Sequence, residues 1–82
     1  MTQPFTLDDL REILVHHGGV APSVIVDDPD LSLESLGIGS MAMLAIQLDL
    51  RQRYGISLGE QDLPQLATVG SFLRFVNGRR SD

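Results

Sequence analysis

The chain contains no cysteine and no lysine, and both absences narrow what it does. Without thiols there is no disulfide, no thiolate metal site and no cysteine nucleophile, so redox chemistry does not set its compartment. All six basic residues are arginines, set against eleven acidic ones, for a net charge of −5. An acidic domain of this kind repels phosphate backbones, which makes nucleic acid a poor partner and a basic surface a natural one. Long hydrophobic runs are lacking too. The longest is interrupted by Gln47 and Asp49, too short to cross a bilayer, and Met1 begins no basic-then-apolar signal pattern. A cytoplasmic protein with no membrane contact is expected.

What is present is a compact budget of 82 residues, 43% hydrophobic and 21% charged, which reads as one small globular domain over 1–82 with about 6–77 structured. There is no internal repeat. A core this small leaves no room to enclose a substrate pocket of several hundred cubic ångströms, roughly the usual minimum. The composition therefore favours a domain that binds or is acted upon over one that catalyses.

Thr6 followed by Asp9 reads as an N-cap with its capping-box partner, and Pro4-Phe5 lies outside the element they start. Leu7, Leu10, Ile13, Leu14 and His17 share one helical face, and Gly18-Gly19 supply C-cap chemistry, so a first helix is predicted over about 7–17. Adjacent His16 and His17 point about 100° apart and cannot chelate one ion from one face; a role near the helix C-terminus is expected instead. Residues 18–39 lack periodicity and read as an ordered loop pinned by some of Val24, Val26, Leu31, Leu33 and Leu36. Its acidic cluster of Asp27, Asp28, Asp30 and Glu34 lacks EF-hand spacing and reads as a solvated face.

A second helix is predicted from just after Ser40 to about Tyr54, stopped by Gly55. At about 100° per residue it carries two apolar stripes. Met43, Ile46, Leu50 and Tyr54 form a core stripe; Met41, Leu44 and Leu48 lie nearly opposite, with Asp49 and Arg53 on one flank and Gln47 and Arg51 on the other. The opposite stripe is either packed in a second layer or left exposed beside Ser40 as a docking patch. After an extended connector at 56–58 come a short helical segment over 60–66, limited by Pro64, and a last helix over about 69–77. Thr68 caps that helix, Val69, Phe72, Leu73 and Val76 make its core face, Gly78 ends it, and 79–82 form a frayed tail. The fold expected is all-α: a small four-helix bundle, three main helices plus a short third, with a long loop between helices 1 and 2.

Ser40 follows Gly39 at the start of helix 2, where free N–H groups and the positive end of the helix dipole would stabilise a phosphate. The same serine is also a sound N-cap. No histidine or carboxylate is placed by sequence to activate it, and no base–nucleophile pair or metal set suggests an enzyme.

Taken in order, Leu36-Gly37-x-x-Ser40, Arg51-Gln52-Arg53-Tyr54-Gly55-Ile56 and Ala67-Thr68-Val69-Gly70 resemble the acyl carrier protein family over nearly the whole chain. The resemblance is strongest to type II polyketide carriers. It implies a non-catalytic carrier: a phosphopantetheinyl transferase moves 4′-phosphopantetheine from coenzyme A to the hydroxyl of Ser40, flanked by Gly39 and Met41. Acyl groups then travel as thioesters on the arm's terminal thiol, served by a ketosynthase and other acyl-processing enzymes. A monomer is implied, and a chain without cysteine would borrow its thiol.

Two departures separate this chain from the family pattern. The family usually reads Asp-Ser-Leu where Gly39-Ser40-Met41 stands, which removes an acidic contact. Helix 2 of fatty-acid carriers is strongly acidic, whereas here only Asp49 is negative beside Arg51 and Arg53. A dedicated partner set is therefore expected, in polyketide or related secondary-metabolite (antibiotic) biosynthesis. Met41, Leu44 and Leu48 would give apolar contact and Arg51 or Arg53 would meet carboxylates. A peptidyl or aryl carrier of a nonribosomal peptide pathway and an unmodified helical interaction module are the alternatives. Ala42, Ala45 and Gly70 either leave room for an acyl chain or allow close helix packing.

Overall fold

The structure, a computed structural model, describes residues 4–79. Three α-helices, α1 (Leu7–Gly18), α2 (Ser40–Tyr54) and α3 (Val69–Arg79), pack with a short 3₁₀ helix over Glu60–Leu66. Among the described residues there is no strand, only one isolated antiparallel bridge between Ser32 and Thr68. This is the all-helical bundle that the apolar periodicities imply.

α1 begins where its capping chemistry says it should. Thr6 Oγ1 accepts from the Asp9 N–H at 3.3 Å, and Asp9 Oδ2 accepts from the Thr6 N–H at 2.9 Å. Gly19, at φ 67°, closes the helix with its N–H on the Val15 carbonyl. Leu10, Ile13 and Leu14 face the core with Ile46 and Leu50 of α2 and Val69, Phe72, Phe75 and Val76 of α3. Burying each such side chain contributes about 1.5–3 kcal/mol, against which the ordering of the chain works.

Phe5 lies outside α1, as expected, yet it is 2% exposed and belongs to the core. Its ring meets Tyr54 edge-on at 5.3 Å and stacks on Phe72 at 6.1 Å. Its backbone is held by one side chain: Asn77 Oδ1 accepts from the Phe5 N–H at 2.8 Å, and Asn77 Nδ2 donates to the Phe5 carbonyl at 3.0 Å. An asparagine amide thus pairs with this segment as a neighbouring strand would.

The 18–39 loop is ordered, with 3₁₀ turns at Pro22–Val24 and Glu34–Leu36. Of the expected anchors, Leu33 is buried and Leu31 and Leu36 pack partly on the core, but Val24 and Val26 are exposed. Ile25 between them is buried instead, with its carbonyl accepting from Arg11 Nη2 at 2.7 Å. The loop is stitched to the start of α3 by three backbone bonds of 2.9 Å: Leu33 N–H to the Ala67 carbonyl, Val69 N–H to that of Leu31, and Gly70 N–H to that of Pro29. Gly70 permits this approach, since a Cβ there would lie 2.9 Å from the Pro29 carbonyl oxygen. Close packing, not space for a chain, is the use of Gly70.

α3 runs two residues further than its glycine suggests, through Gly78 to Arg79. Arg79 Nη2 reaches Asp62 Oδ1 at 3.3 Å, and its guanidinium lies over the Phe75 ring. Those contacts outweigh the weak helix propensity of Gly78. Thr68 caps α3, with its Oγ1 accepting from the Ser71 N–H. Residues 80–82 of the expected frayed tail, and Met1, lie outside the described residues.

Candidate functional site

The approach to Ser40 is built by three residues. Gly37, at φ 88°, takes a left-handed conformation after the Glu34–Leu36 turn, so that the Ile38 N–H returns to the Leu33 carbonyl at 3.1 Å. Ile38 is thereby buried, 6% exposed, against the end of α1. Its Cδ1 occupies the space a Cβ on Gly18 would need, at 2.2 Å from that position. Gly39 then extends, at φ −90° and ψ −175°, and its carbonyl accepts the first helical bond from the Met43 N–H at 2.9 Å.

Gly39, not Ser40, is therefore the N-cap of α2, and Ser40 is its first helical residue. The N-cap reading of Ser40 falls for this reason: no side chain makes a cap hydrogen bond at this end. The leading N–H groups of a 15-residue helix are left without a side-chain acceptor, with no acidic residue in the first turn to offset the dipole. Ser40 is exposed, and a Cβ placed on Gly39 would meet nothing within 4 Å. An exposed hydroxyl, open space before it and unsatisfied donors beside it fit a phosphodiester.

Among the described residues no histidine or carboxylate hydrogen-bonds that hydroxyl. His17 Nε2 is 2.7 Å from Asp49 Oδ2, and His16 packs edge-on against His17 at 4.7 Å. His17 thus joins α1 to α2 rather than serving the end of its own helix, because Asp49, 8% exposed, needs a partner where it is buried. Arg53 Nε lies 2.8 Å from Asp49 Oδ1, and Arg53 Nη1 donates to Glu12 Oε1 at 3.3 Å. The hydrogen bond to Glu12, then the charge of Asp49, raises the Arg53 pKa above its ordinary value. Among the described residues no group of three or more His, Asp or Glu is placed to hold a metal ion.

The second apolar stripe of α2 is uncovered. Met41, Leu44 and Leu48 are 84%, 64% and 53% exposed, while Met43 and Tyr54 on the other side pack on the core. Beside this stripe runs an open groove of about 260 Å³, lined by Leu44, Gln47, Leu48 and Arg51 of α2 and by Ile56, Ser57 and Leu58 of the connector. Sequence reasoning missed Ile38 and the His17–Asp49 pair. An isoleucine between two glycines was the signal for the first; for the second, only the shared helical face of His17 with Leu10 and Leu14 pointed inward.

No helix among the described residues is long and apolar enough to cross a membrane. Comparison with known proteins agrees with the geometry. The family described as the phosphopantetheine attachment site matches residues 8–76. The acyl carrier protein of Chlamydia trachomatis is 27% identical over 74 residues, covering 90% of this chain and 95% of that protein. The acyl carrier protein of Rhodococcus erythropolis is 28% identical, covering 92% and 81%. The meromycolate extension acyl carrier protein of Mycolicibacterium smegmatis is 28% identical, covering 92% and 75%. A carrier of 4′-phosphopantetheine rather than a catalyst, this chain belongs to the acyl carrier protein family.

Proposed function

We propose that Ser40 is the residue that carries 4′-phosphopantetheine, with Gly39 and Met41 flanking it, and that the carrier serves polyketide or related secondary-metabolite biosynthesis. The observation that carries the site is the exposed Ser40 hydroxyl at the uncapped N-terminus of α2. When bound, the group supplies the thiol on which acyl cargo travels as a thioester. Ser40 Oγ would hold it, the leading N–H groups of α2 would stabilise its phosphate, and Gly39 leaves the approach clear. Because no described side chain hydrogen-bonds the Ser40 hydroxyl, the visiting phosphopantetheinyl transferase would supply the base that takes its proton.

The pathway reading rests on α2. Its one carboxylate, Asp49, is buried and doubly paired, so no free carboxylate faces outward from this helix, unlike the acidic helix expected of a fatty-acid carrier. Met41, Leu44, Leu48 and Arg51 are proposed as docking residues for a ketosynthase and other acyl-processing enzymes. The reading takes the chain as one cytoplasmic carrier domain that is monomeric alone and engages neither nucleic acid nor membrane. The meromycolate name belongs to the relatives that bear it. The same outward face, with Gly39 before the serine, also favours a peptidyl carrier as the second reading.

Intact mass after incubation with coenzyme A and a broad-specificity transferase is the test. A gain of one phosphopantetheine, abolished by Ser40→Ala, is expected. No gain with several transferases would leave only an unmodified interaction module. Loading of an amino or aryl acid by an adenylation enzyme would move the chain to the peptidyl class.

A further inference from the structure

The two arginines on α2 have different fates. Arg53 is committed within the protein, held by Asp49 at 2.8 Å and by Glu12 at 3.3 Å. Arg51 stands on the opposite flank, in the groove beside Leu44 and Leu48, and among the described residues its side chain makes neither an ion pair nor a hydrogen bond. Eleven residues separate it from Ser40, three helical turns within about 20° of rotation and roughly 16 Å of rise. Serine, leucines and arginine therefore share one line along the helix.

The remaining charge lies elsewhere. Exposed carboxylates sit on α1 (Asp8, Glu12), in the loop (Asp27, Asp28, Asp30, Glu34) and at Glu60, while α2 shows none to solvent. An acidic protein thus carries one flank that is apolar with a single uncommitted cation. A cation at the edge of an exposed apolar stripe is matched by a carboxylate at the rim of an apolar cleft.

We infer that this flank docks acyl-processing enzymes whose contact surface is ringed by carboxylates, with Leu44 and Leu48 entering an apolar cleft and Arg51 pairing at its rim. This rests on the carrier reading of Ser40 and deepens it, by assigning the charge of the partner. A partner presenting a basic patch is opposed at Arg51 and finds no carboxylate on α2 to meet it.

Two β-ketoacyl synthases serve as probes, one with Asp and Glu around its active-site mouth and one with Arg and Lys. The protein is first converted with coenzyme A and a transferase, then acylated, and loading is checked by intact mass. The specificity constant for acyl transfer to each synthase is then measured at low and moderate salt. The acidic-mouthed enzyme is expected to be preferred at least fivefold, with the preference shrinking as salt rises, reversed by Arg51→Glu and unchanged by Arg53→Gln. Thermal melting of Arg51→Glu should fall only slightly, since the side chain makes no ion pair or hydrogen bond among the described residues and loses only its favourable place in the last turn of α2. Equal transfer to both enzymes, preference for the basic-mouthed one, or indifference to Arg51→Glu overturns the inference while leaving the carrier reading intact. Failure to load removes both. A dimer in sedimentation that Arg51→Glu dissolves would assign this flank to a second copy of the chain and overturn it as well.

Discussion

Asp49 of α2 holds His17 of α1 by a 2.7 Å contact from Oδ2 to Nε2, while its other oxygen meets Arg53 at 2.8 Å. A carboxylate 8% exposed is stable there because both oxygens are satisfied. Asp49→Ala leaves His17 and Arg53 without that acceptor, and a loss of about 1–3 kcal/mol is expected in chemical denaturation. Arg53→Gln should matter less. Its raised pKa means that its contribution is complete below the ordinary arginine pKa and is lost only as pH rises past it. The small effect of Arg53→Gln should therefore be the same at neutral and mildly alkaline pH.

Ser40→Ala separates attachment from capping. An N-cap serine replaced by alanine forfeits about 1 kcal/mol, whereas a first-turn serine without a cap bond loses nothing. The substitution should abolish the phosphopantetheine mass gain and leave stability within about 0.5 kcal/mol of wild type. A melt lowered by the full capping amount would return Ser40 to the N-cap role.

Gly39→Asp restores the residue that the family pattern has at this position, in a backbone conformation any residue adopts. Its carboxylate would cap α2 and complement the dipole, adding roughly 0.5–1 kcal/mol, or about 3–6 °C in Tm. Modification by a broad-specificity transferase should become faster at equal protein concentration, as a stopped mass time course would record.

Phe5→Ala removes a ring that touches both Tyr54 and Phe72, and about 3 kcal/mol of stability should go with it. Asn77→Ala, which frees the Phe5 backbone, should lose about 1–2 kcal/mol. Measured together, the two substitutions should cost less than their sum, because each releases the same strap.

Gly70→Ala drives a methyl group against the Pro29 backbone. A loss of about 1–3 kcal/mol is expected, with the Gly70 amide exchanging faster as its bond to the Pro29 carbonyl opens.

These residues also show where a sequence is readable and where it is not. Thr6, Asp9 and Gly19 act within one turn of chain, so their chemistry was visible in order of residues. The two stripes of α2 were visible for the same reason: helical period is a local property. Phe5 was not, because its partners are Tyr54, Phe72 and Asn77, far along the chain. Ile25 was passed over for its neighbours because three consecutive β-branched residues carry no period, and its carbonyl is held by Arg11, fourteen residues away. At the proposed site, the start of a helix near Ser40 was legible from the sequence, while the place of Ser40 as first helical residue was not. That depends on Gly37 and Ile38, which fix the angle at which the chain enters α2.

The contact of Ile38 with Gly18 has a further consequence for encounter. Two residues before Ser40, that side chain ties the approach to the proposed attachment residue to the hydrophobic core. On the proposed reading, a visiting enzyme would meet Ser40 on an approach already held by that contact, which lowers the ordering cost of the encounter. If Ser40 carries the arm as proposed, cargo would swing from a base tied to the hydrophobic core.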